Sequence, residues 1–267
     1  AGGEPPGVWV GRHAEALNLE GKTVQRGELA RGLEGYHPKS GEALAENAGP
    51  DHKPGWDCTF SAPKSVSLAW AAGSDALRAE ISVMQREAVK DAIAMAETVA
   101  FTTRHGHAGA ERLSYQSGVA AALFEHSTNR EGEANLHTHA IVLNACEDGR
   151  RIDFDTRWKM ALGAAYRTSL ADRLAARGFE LERDGKSFRL TRMPKELETE
   201  QSTRRAQILD ALAERGQRGG KAAAVAALAT REDKGEVSRE QLVAETRAVA
   251  AEHDVTPVSI DAMTTGA

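Results

Sequence analysis

Three of the nine histidines lie close together in the segment FEHSTNREGEANLHTHAIVLNA, which runs from Phe124 to Ala145. His137 and His139 stand two positions apart at the start of an apolar run, and His126 lies eleven residues before His137. Successive side chains of a β-strand point to opposite faces, so His137 and His139 would project from one face, about 6 to 7 Å apart. If the segment ending at His126 lies antiparallel beside them, a third imidazole reaches that face, and we predict that the three histidines bind one metal ion.

A metal ion held by three neutral imidazoles keeps open coordination positions, which is typical of catalytic sites rather than structural ones. The ion also keeps its full positive charge, and this favours an anionic substrate such as a phosphate. Polarising a phosphodiester and generating hydroxide from bound water are both open to such a site, and the ligands alone do not choose between them. The competing interpretation is that these histidines are ordinary packed or surface residues.

A second group of polar residues lies in the segment WDCTFSAPKS. Asp57 is on a predicted strand that could pair beside the histidine strands, where its carboxylate could accept a hydrogen bond from a ligand imidazole or take a proton from a nucleophile. The alternative is an ordinary aspartate at a strand edge. Lys64, with Ser61 and Ser65, surrounds the predicted start of a helix at Pro63, an arrangement that suits phosphate binding.

The elements that must position these residues follow from the hydrophobic pattern. Alternation through Trp56, Cys58 and Phe60 predicts a strand, and a helix is expected to begin at Pro63. A long amphipathic helix is predicted from Ala76 to Phe101. The run LSYQSGVAAALFEH is predicted to be a single strand that ends at His126, with LHTHAIVLNA as its antiparallel partner.

The C-terminal half of the chain predicts a helix over DTRWKMALGAAYRTSLADRLAARG that ends at Gly178, followed by a hairpin that turns at Asp184 and Gly185. The last third, from Pro194, has helical spacing. Cys58 and Cys146 are the only cysteines, too few for a disulfide framework, which favours a reducing compartment. No apolar stretch approaches the roughly 20 residues that cross a bilayer.

The composition limits the partners that the chain can bind. Its 41% hydrophobic content is ample for a sizeable core. The formal net charge is −5, so the overall field would repel nucleic acid, and a nucleic-acid site has to be a local basic patch. Candidate residues for contacts to a DNA backbone are Lys64, Arg130, Arg231 and Lys234.

Two segments resemble the motifs of one family, the MobF-type conjugative relaxases of the TrwC and TraI group. GWDCTFSAPKSVSLAWA resembles the DLTFSAPKSVS block of that family, and FEHSTNREGEANLHTHAIVLNA resembles its three-histidine motif. ALATREDK is similar to a downstream element, and the likeness runs from about Val8 to Ile260. The two central motifs in this order are highly specific.

The resemblance implies an α+β fold of the HUH endonuclease type, with a central antiparallel β-sheet flanked by helices and a helical C-terminal subregion. It implies a single relaxase domain over residues 1–267, with a sheet-containing core at 8–192 and the helical subregion at 193–267. A divalent metal ion would be bound by His126, His137 and His139, with Mg or Mn expected in cells and Zn, Ni or Co as alternatives. Asp57 would orient a ligand histidine or help to deprotonate a tyrosine.

The implied activity is nicking of one DNA strand at a plasmid origin of transfer by tyrosine transesterification, which leaves a 5′-phosphotyrosine link. The partners would be single-stranded DNA with an adjacent hairpin, the relaxosome and the coupling proteins of type IV secretion. The protein would be in the bacterial cytoplasm and would enter the recipient cell with the DNA. No membrane partner is expected.

The nucleophilic tyrosine of the family lies on and after its first strand, and none of Tyr36, Tyr115 and Tyr166 matches that position. We therefore expect the nucleophile upstream of Ala1, in a segment that precedes this sequence. Two alternatives stay open. The chain could be a module that binds origin DNA without cutting it, or a phosphodiesterase that uses metal-bound water.

Overall fold

The computed structural model describes residues 3–105, 113–203, 206–207, 212–213 and 237–264. The strands are β1 (Val8–Val10), β2 (Gly55–Ser61), β3 (Phe101–His105), β4 (Leu113–Gln116), β5 (Ala121–Thr128), β6 (Ala134–Leu143), β7 (Ile152–Phe154), β8 (Leu181–Asp184) and β9 (Ser187–Leu190). The helices are α1 (Arg12–Ala16), α2 (Glu28–Leu33), α3 (Lys64–Ala72), α4 (Asp75–Val99), α5 (Lys159–Ala176), α6 (Lys195–Glu200), α7 (Arg239–Glu252) and α8 (Pro257–Asp261). The combination is an α+β fold, as predicted.

The central sheet has four strands in the order β1-β5-β6-β2, and every pair in it is antiparallel. β6 is the longest strand and lies between β5 and β2. Its exposure alternates residue by residue from Ala134 to Ala140, with every second side chain buried. Because strand side chains alternate between faces, this pattern gives the sheet one covered face and one more open face at the β6 N-terminal end.

Three helices cover one face of the sheet and form the main core with it. α3 and α4 pack against β6, and α5 packs against α4. α4 begins at Ser74, whose hydroxyl accepts a hydrogen bond from the Leu77 amide at 3.2 Å and so caps the first turn. The buried side of α4 repeats at helical spacing through Leu77, Ile81 and Ala88, as the amphipathic pattern predicted.

Among the described residues, apolar side chains cover the other face of the sheet only at one end. Trp9 of β1, Leu19 after α1, Ala122 of β5 and Leu143 of β6 form a separate small apolar cluster there, and Leu29 and Leu33 of α2 pack against it. The side chains of His137 and His139 project from this same face at the other end of β6, beyond the cluster. In the part of the chain that the structure describes, the histidine half of this sheet face therefore has no apolar cluster over it.

One prediction about the strands was wrong. LSYQSGVAAALFEH is not a single strand: β4 belongs to a second antiparallel sheet of order β4-β3-β7, while β5 belongs to the central sheet. The chain turns between them at Gly118, where a Cβ atom would lie 3.1 Å from the Arg12 Cβ and 3.3 Å from the His13 amide nitrogen. The Val119 carbonyl accepts the His13 amide at 3.1 Å. β5 also continues past His126 to Thr128.

The remaining predicted elements are confirmed where the structure describes them, except that the helix predicted to reach Phe101 ends at Val99 and Phe101 begins β3. β2 and α3 form the expected strand, turn and helix, and α5 ends just before Gly178, which adopts a φ of 102°. β8 and β9 form the hairpin that turns at Gly185. The C-terminal part contributes α6, α7 and α8, whereas the predicted helical segment GKAAAVAALATRE lies outside the described residues. Among the described helices, none is both long enough and apolar enough to cross a membrane.

Candidate metal centre

The three histidines come together on the open half of the central sheet, as predicted. His126 of β5 is directly opposite His137 of β6, and His139 of β6 is opposite Phe124. The imidazole centroids are 5.4 Å apart for His126 and His137, 5.0 Å for His126 and His139, and 5.2 Å for His137 and His139. One ring nitrogen from each histidine lies within 4.8 Å of the other two, so the three form a triangle around one point.

A β-bulge follows His126 and fixes where the third imidazole points. The β5–β6 register shifts between His126 and Thr128, and the intervening Ser127 is fully buried. The Ser127 amide and hydroxyl both donate to the Glu4 Oε1 atom, at 2.8 and 2.6 Å. A bulge leaves backbone groups without ladder partners, and here a carboxylate from the beginning of the chain accepts the hydrogen bond of one of them.

Asp57 lies beside the histidines, on the neighbouring strand β2. Its two carboxylate oxygens are 2.9 and 2.8 Å from the His139 Nδ1 atom. A carboxylate can only accept a hydrogen bond, so His139 carries its proton on Nδ1 and its Nε2 lone pair is left for a ligand. Carboxylates that hold a histidine in this way are typical outer partners of metal-binding histidines.

His137 is oriented by its own strand. Its Nδ1 atom lies 2.7 Å from the carbonyl oxygen of Asn135, two residues earlier in β6. Because that oxygen can only accept, Nδ1 donates and the Nε2 lone pair is again available. Two of the three imidazoles are therefore held in the tautomer that suits a metal ion.

Thr59 is a site residue that the sequence interpretation missed. Its hydroxyl donates to the Asp57 Oδ1 atom at 3.4 Å and lies 3.3 Å from the His139 Nδ1 atom. Thr59 is opposite His139 in the β2–β6 register. The signal was present in the sequence, because Thr59 is two positions after Asp57 and strand residues at that spacing share a face.

The residues around the helix start at Pro63 make hydrogen bonds within the protein, and the phosphate contact predicted for Lys64 stays a prediction. The Lys64 ammonium donates to the Ala134 carbonyl oxygen at 2.9 Å, and burial lowers the pKa of this side chain. The Ser67 hydroxyl accepts the Leu136 amide at 3.1 Å, and the buried Ser65 hydroxyl accepts the Leu190 amide at 3.0 Å. This part of the motif thus holds the start of β6, just before the histidines, and its hydroxyls are already engaged within the protein.

The other predicted DNA contacts are placed unevenly. Arg130 lies half-buried in the turn between β5 and β6, near the histidine end of the sheet. Arg231 and Lys234 lie outside the described residues. Their contacts with DNA stay predictions.

The arrangement has the chemistry of an open metal site. All three ligand candidates are neutral imidazoles, each is half-buried, and Asp57 stands behind one of them rather than among them. A set of nitrogen donors on one side of an ion leaves the other side for water or an anionic substrate. The donor set of three imidazoles fits a divalent cation of the first transition row.

Comparison with known families identifies the chain. The family model described as TrwC relaxase matches residues 1–253. The chain belongs to the TrwC relaxase family. The TrwC-type motifs inferred from the sequence, the DCTFSAPKSVS block and the three histidines, are the segments that build the site described above.

Individual members of the TrwC relaxase group share about a third of their residues with this chain. The multifunctional conjugation protein TraI of Escherichia coli (strain K12) is 34% identical over 193 residues, which cover 67% of this chain and 11% of TraI. The chain thus matches only a small part of that relative's length.

Two solved structures of the conjugative relaxase TrwC match over nearly the whole chain. A metal-bound complex with oriT DNA has a TM-score of 0.80 and 30% identity, and the match covers 94% of this chain and 89% of that one. A complex with a 27-mer DNA comprising the recognition hairpin and the cleavage site has a TM-score of 0.80 and 29% identity, with coverage of 93% and 92%. These matches confirm the predicted relaxase-type fold.

Proposed function

We propose that this chain is the DNA-nicking domain of a conjugative relaxase and that it acts at an origin of transfer. The observation that carries the proposal is the triangle of His126, His137 and His139, backed by Asp57, in a chain of the TrwC relaxase family. The resemblance to TrwC bound to oriT DNA supports the substrate class. The single-domain division, with a core at 8–192 and a helical subregion at 193–267, belongs to the same proposal.

The cofactor in this proposal is a divalent metal ion held by the Nε2 atoms of the histidines. The similar TrwC complex with oriT DNA is metal-bound, which supports a metal ion as the cofactor. Mg²⁺ or Mn²⁺ is the ion we propose for the cell. Bound there, the ion would draw charge from the non-bridging oxygens of the scissile phosphate and so stabilise the transition state.

The reaction is a transesterification. A tyrosine hydroxyl attacks the phosphorus of one phosphodiester, the bond from phosphorus to the 3′ oxygen breaks, and that oxygen leaves with a proton as a 3′-hydroxyl. The phosphate remains on the tyrosine as a 5′-phosphotyrosine. One phosphorus–oxygen bond forms for each one that breaks and the net charge is unchanged, so the reverse attack by the 3′-hydroxyl can reseal the DNA.

Tyr166 is a poor candidate for this nucleophile. Its side chain is 1% exposed and its hydroxyl donates to the Gln85 Oε1 atom at 2.6 Å, on the covered side of the sheet. Burial raises the pKa of the Tyr166 phenol well above its usual range. Tyr166 is therefore not the tyrosine that we propose as the nucleophile.

Asp57 acts in the proposal through His139. Both carboxylate oxygens face the His139 Nδ1–H, so Asp57 fixes the ring orientation and makes Nε2 a better donor to a cation. Its side chain is 49% exposed, which also leaves it accessible to a tyrosine hydroxyl brought in with the DNA.

Single-stranded DNA with an adjacent hairpin is the proposed partner, supported by the TrwC complex that contains a recognition hairpin and a cleavage site. Arg130, in the turn between β5 and β6, is a described candidate for a backbone contact, and Arg231 and Lys234 remain candidates by sequence. Lys64 is less suited because its ammonium already binds Ala134. Relaxosome and type IV secretion partners, and transfer into a recipient cell, are proposed on family resemblance.

The test uses a fluorescent single-stranded oligonucleotide that carries the origin sequence of the replicon encoding this chain. The oligonucleotide is incubated with Mn²⁺ and with the encoded protein, including any segment upstream of Ala1. Denaturing gels separate a covalent DNA–protein adduct, cleaved DNA without an adduct and intact DNA, and fluorescence anisotropy measures binding to the intact DNA. A DNA–protein adduct that His137→Ala abolishes is the result we expect.

The other outcomes would replace the proposal. Cleaved DNA without an adduct indicates hydrolysis by metal-bound water, and tight binding without cleavage indicates a recognition module. A scrambled oligonucleotide with the same hairpin length is the control for sequence-specific recognition. EDTA should stop the cleavage, but it would also stop a contaminating nuclease that needs metal. The His137→Ala protein, prepared in parallel, excludes such a contaminant if it is inactive in the presence of Mn²⁺.

A further inference from the structure

A buried polar network lies directly behind the histidines, on the covered face of the sheet. Gln85 of α4 is a polar residue, yet it is 0% exposed and lies on the side of the helix that packs into the apolar core. Its Nε2 atom donates to the Phe60 carbonyl oxygen at 3.1 Å and to the Thr138 hydroxyl at 3.2 Å. The Tyr166 hydroxyl of α5 donates to the Gln85 Oε1 atom at 2.6 Å.

The network uses the hydrogen-bonding capacity of the Gln85 amide in one orientation only. Its oxygen accepts from Tyr166, so its nitrogen has to face the sheet and donate both of its hydrogens there. A flipped amide would set two donors against the Tyr166 hydroxyl hydrogen and an acceptor against the Phe60 carbonyl. Because unpaired polar groups in a core are unfavourable, the network selects a single arrangement of helix and strands.

The two contacts made by the Gln85 amide fall on the strands that carry the site. Thr138 lies between His137 and His139 in β6, with its side chain on the opposite face. Phe60 is opposite Thr138 in the β2–β6 register, next to Thr59 and three positions after Asp57. One amide therefore joins the histidine strand to the aspartate strand at the level of the imidazoles.

We infer that Gln85, oriented by Tyr166, is a positioning residue for the three-histidine centre. It touches neither the ligand nitrogens nor the space in front of them, and it acts by fixing Thr138, whose backbone carries a histidine on either side. The inference rests on the proposed function for its catalytic meaning. Its structural content, that this network holds His137 and His139 in place, can be measured without a metal ion.

The experiment compares Tyr166→Phe with Ser169→Ala. Tyr166→Phe removes one hydroxyl from the network and keeps the ring that packs on Phe60, with centroids 5.4 Å apart. Ser169→Ala is the matched control, because the Ser169 hydroxyl donates to the Asp91 Oδ2 atom at 2.6 Å and so also joins α5 to α4, but away from the sheet. Gln85→Met, which removes the whole amide at similar volume, is the second variant.

The first readout is hydrogen exchange at the backbone amides of residues 137–139 in the metal-free protein. We expect Tyr166→Phe to speed exchange there by roughly tenfold relative to the β8–β9 hairpin, since local opening follows the loss of local contacts. Ser169→Ala should leave the ratio unchanged. Equal ratios in the original protein and in the Tyr166→Phe, Gln85→Met and Ser169→Ala variants would overturn the inference, whatever happens to overall stability.

The second readout is the affinity for Co²⁺ and its absorption spectrum. Outer partners of metal ligands typically alter affinity by about 10- to 100-fold, and a residue one step further out should give about a three- to tenfold loss with a changed spectrum. An unchanged dissociation constant and spectrum in Tyr166→Phe would also count against positioning. If the unmodified protein binds no Co²⁺, the proposed function fails, and the exchange experiment still decides the inference.

Discussion

The two faces of β6 differ in what surrounds them, although they alternate along a single strand. On one face Leu136, Thr138 and Ala140 are buried against α3 and α4 and contribute to the core. On the other, His137 and His139 are half-buried, with polar neighbours and no apolar cluster over them among the residues that the structure describes. The strand therefore separates stability from chemistry at intervals of one residue, so substitutions at adjacent positions should change different properties of the protein.

The largest effect expected from the open face is a loss of metal binding. His137→Ala removes one of three ligand candidates, and we expect the affinity for Mn²⁺ to fall by more than the roughly 100-fold that marks the loss of an outer partner. The unfolding midpoint of the metal-free protein should barely move, because the side chain is not part of the core. Isothermal titration and urea unfolding measure the two quantities.

The control for this change is His253→Ala, which removes a histidine at the end of α7, where it pairs with Glu200. It should leave the Mn²⁺ titration as it was. An unaltered titration in His137→Ala would remove that residue from the site.

The next largest effect is a loss of folding stability without a loss of metal affinity, and it is expected on the covered face. Leu136→Ala removes a fully buried side chain next to His137, and we expect the free energy of unfolding to fall by about 2 to 5 kcal/mol. At temperatures where the variant is folded, its Mn²⁺ affinity should stay within a few-fold of the original. Denaturant unfolding and titration on the same sample test the separation, which fails if affinity drops while stability holds.

A smaller effect should follow from the aspartate behind His139. Asp57→Asn replaces a charged acceptor that contacts the Nδ1 atom through both oxygens, and we expect a loss of about 10- to 100-fold in metal affinity. Nicking should slow while the binding of uncleaved origin DNA is retained. Fluorescence anisotropy with a labelled oligonucleotide measures the binding, and loss of folding instead would make Asp57 a structural residue.

The smallest effect concerns a histidine that lies away from the site. His13 is 2% exposed, its Nδ1 atom is 2.9 Å from the Ala145 carbonyl oxygen, and burial lowers its pKa despite that bond. The unfolded state therefore takes up a proton below about pH 6.5 that the folded state does not, so the stability is fully present above that pH and declines as the pH falls.

His13→Asn keeps a donor for Ala145 and removes the titration. We expect its free energy of unfolding to depend less steeply on pH between 7 and 5 than that of the original protein, by at most about 1.4 kcal/mol per pH unit. His52, whose pKa is also lowered by burial, contributes with the same sign in both proteins. Parallel stability curves would show that His13 is not the titrating group.

The histidine face could be predicted from the sequence because it depends on local rules. Two histidines at a spacing of two share a strand face whatever the rest of the fold does, and a polar segment between two apolar runs favours an antiparallel pair. Asp57 was predicted beside them on the alternation of its own strand. The structure confirms each of these placements.

Other features depend on contacts between distant segments, and no local pattern predicts them. The break between β4 and β5 is set by the close approach of Gly118 to Arg12 and His13. Lys64 looked like a phosphate ligand because a cation at a helix start suits one, yet it binds the Ala134 carbonyl. The sequence does show that Gln85 is unusual, because it interrupts an apolar helix stripe that includes Ile81 and Ala88. Its two partners on the sheet, Phe60 and Thr138, lie far from it in the sequence and could not be predicted.

The carboxylate of Glu4 gives the site a dependence on both ends of the chain. Besides holding Ser127 after His126, it accepts from the Arg239 guanidinium at 3.1 Å, and Arg239 also binds Glu125 at 3.0 Å and lies over Trp70. During synthesis, the hairpin that bears the histidines emerges long before α7. An intermediate without α7 would hold the third ligand less firmly, so tight capture of an ion should come only after α7 has been synthesised and Arg239 has bound Glu4.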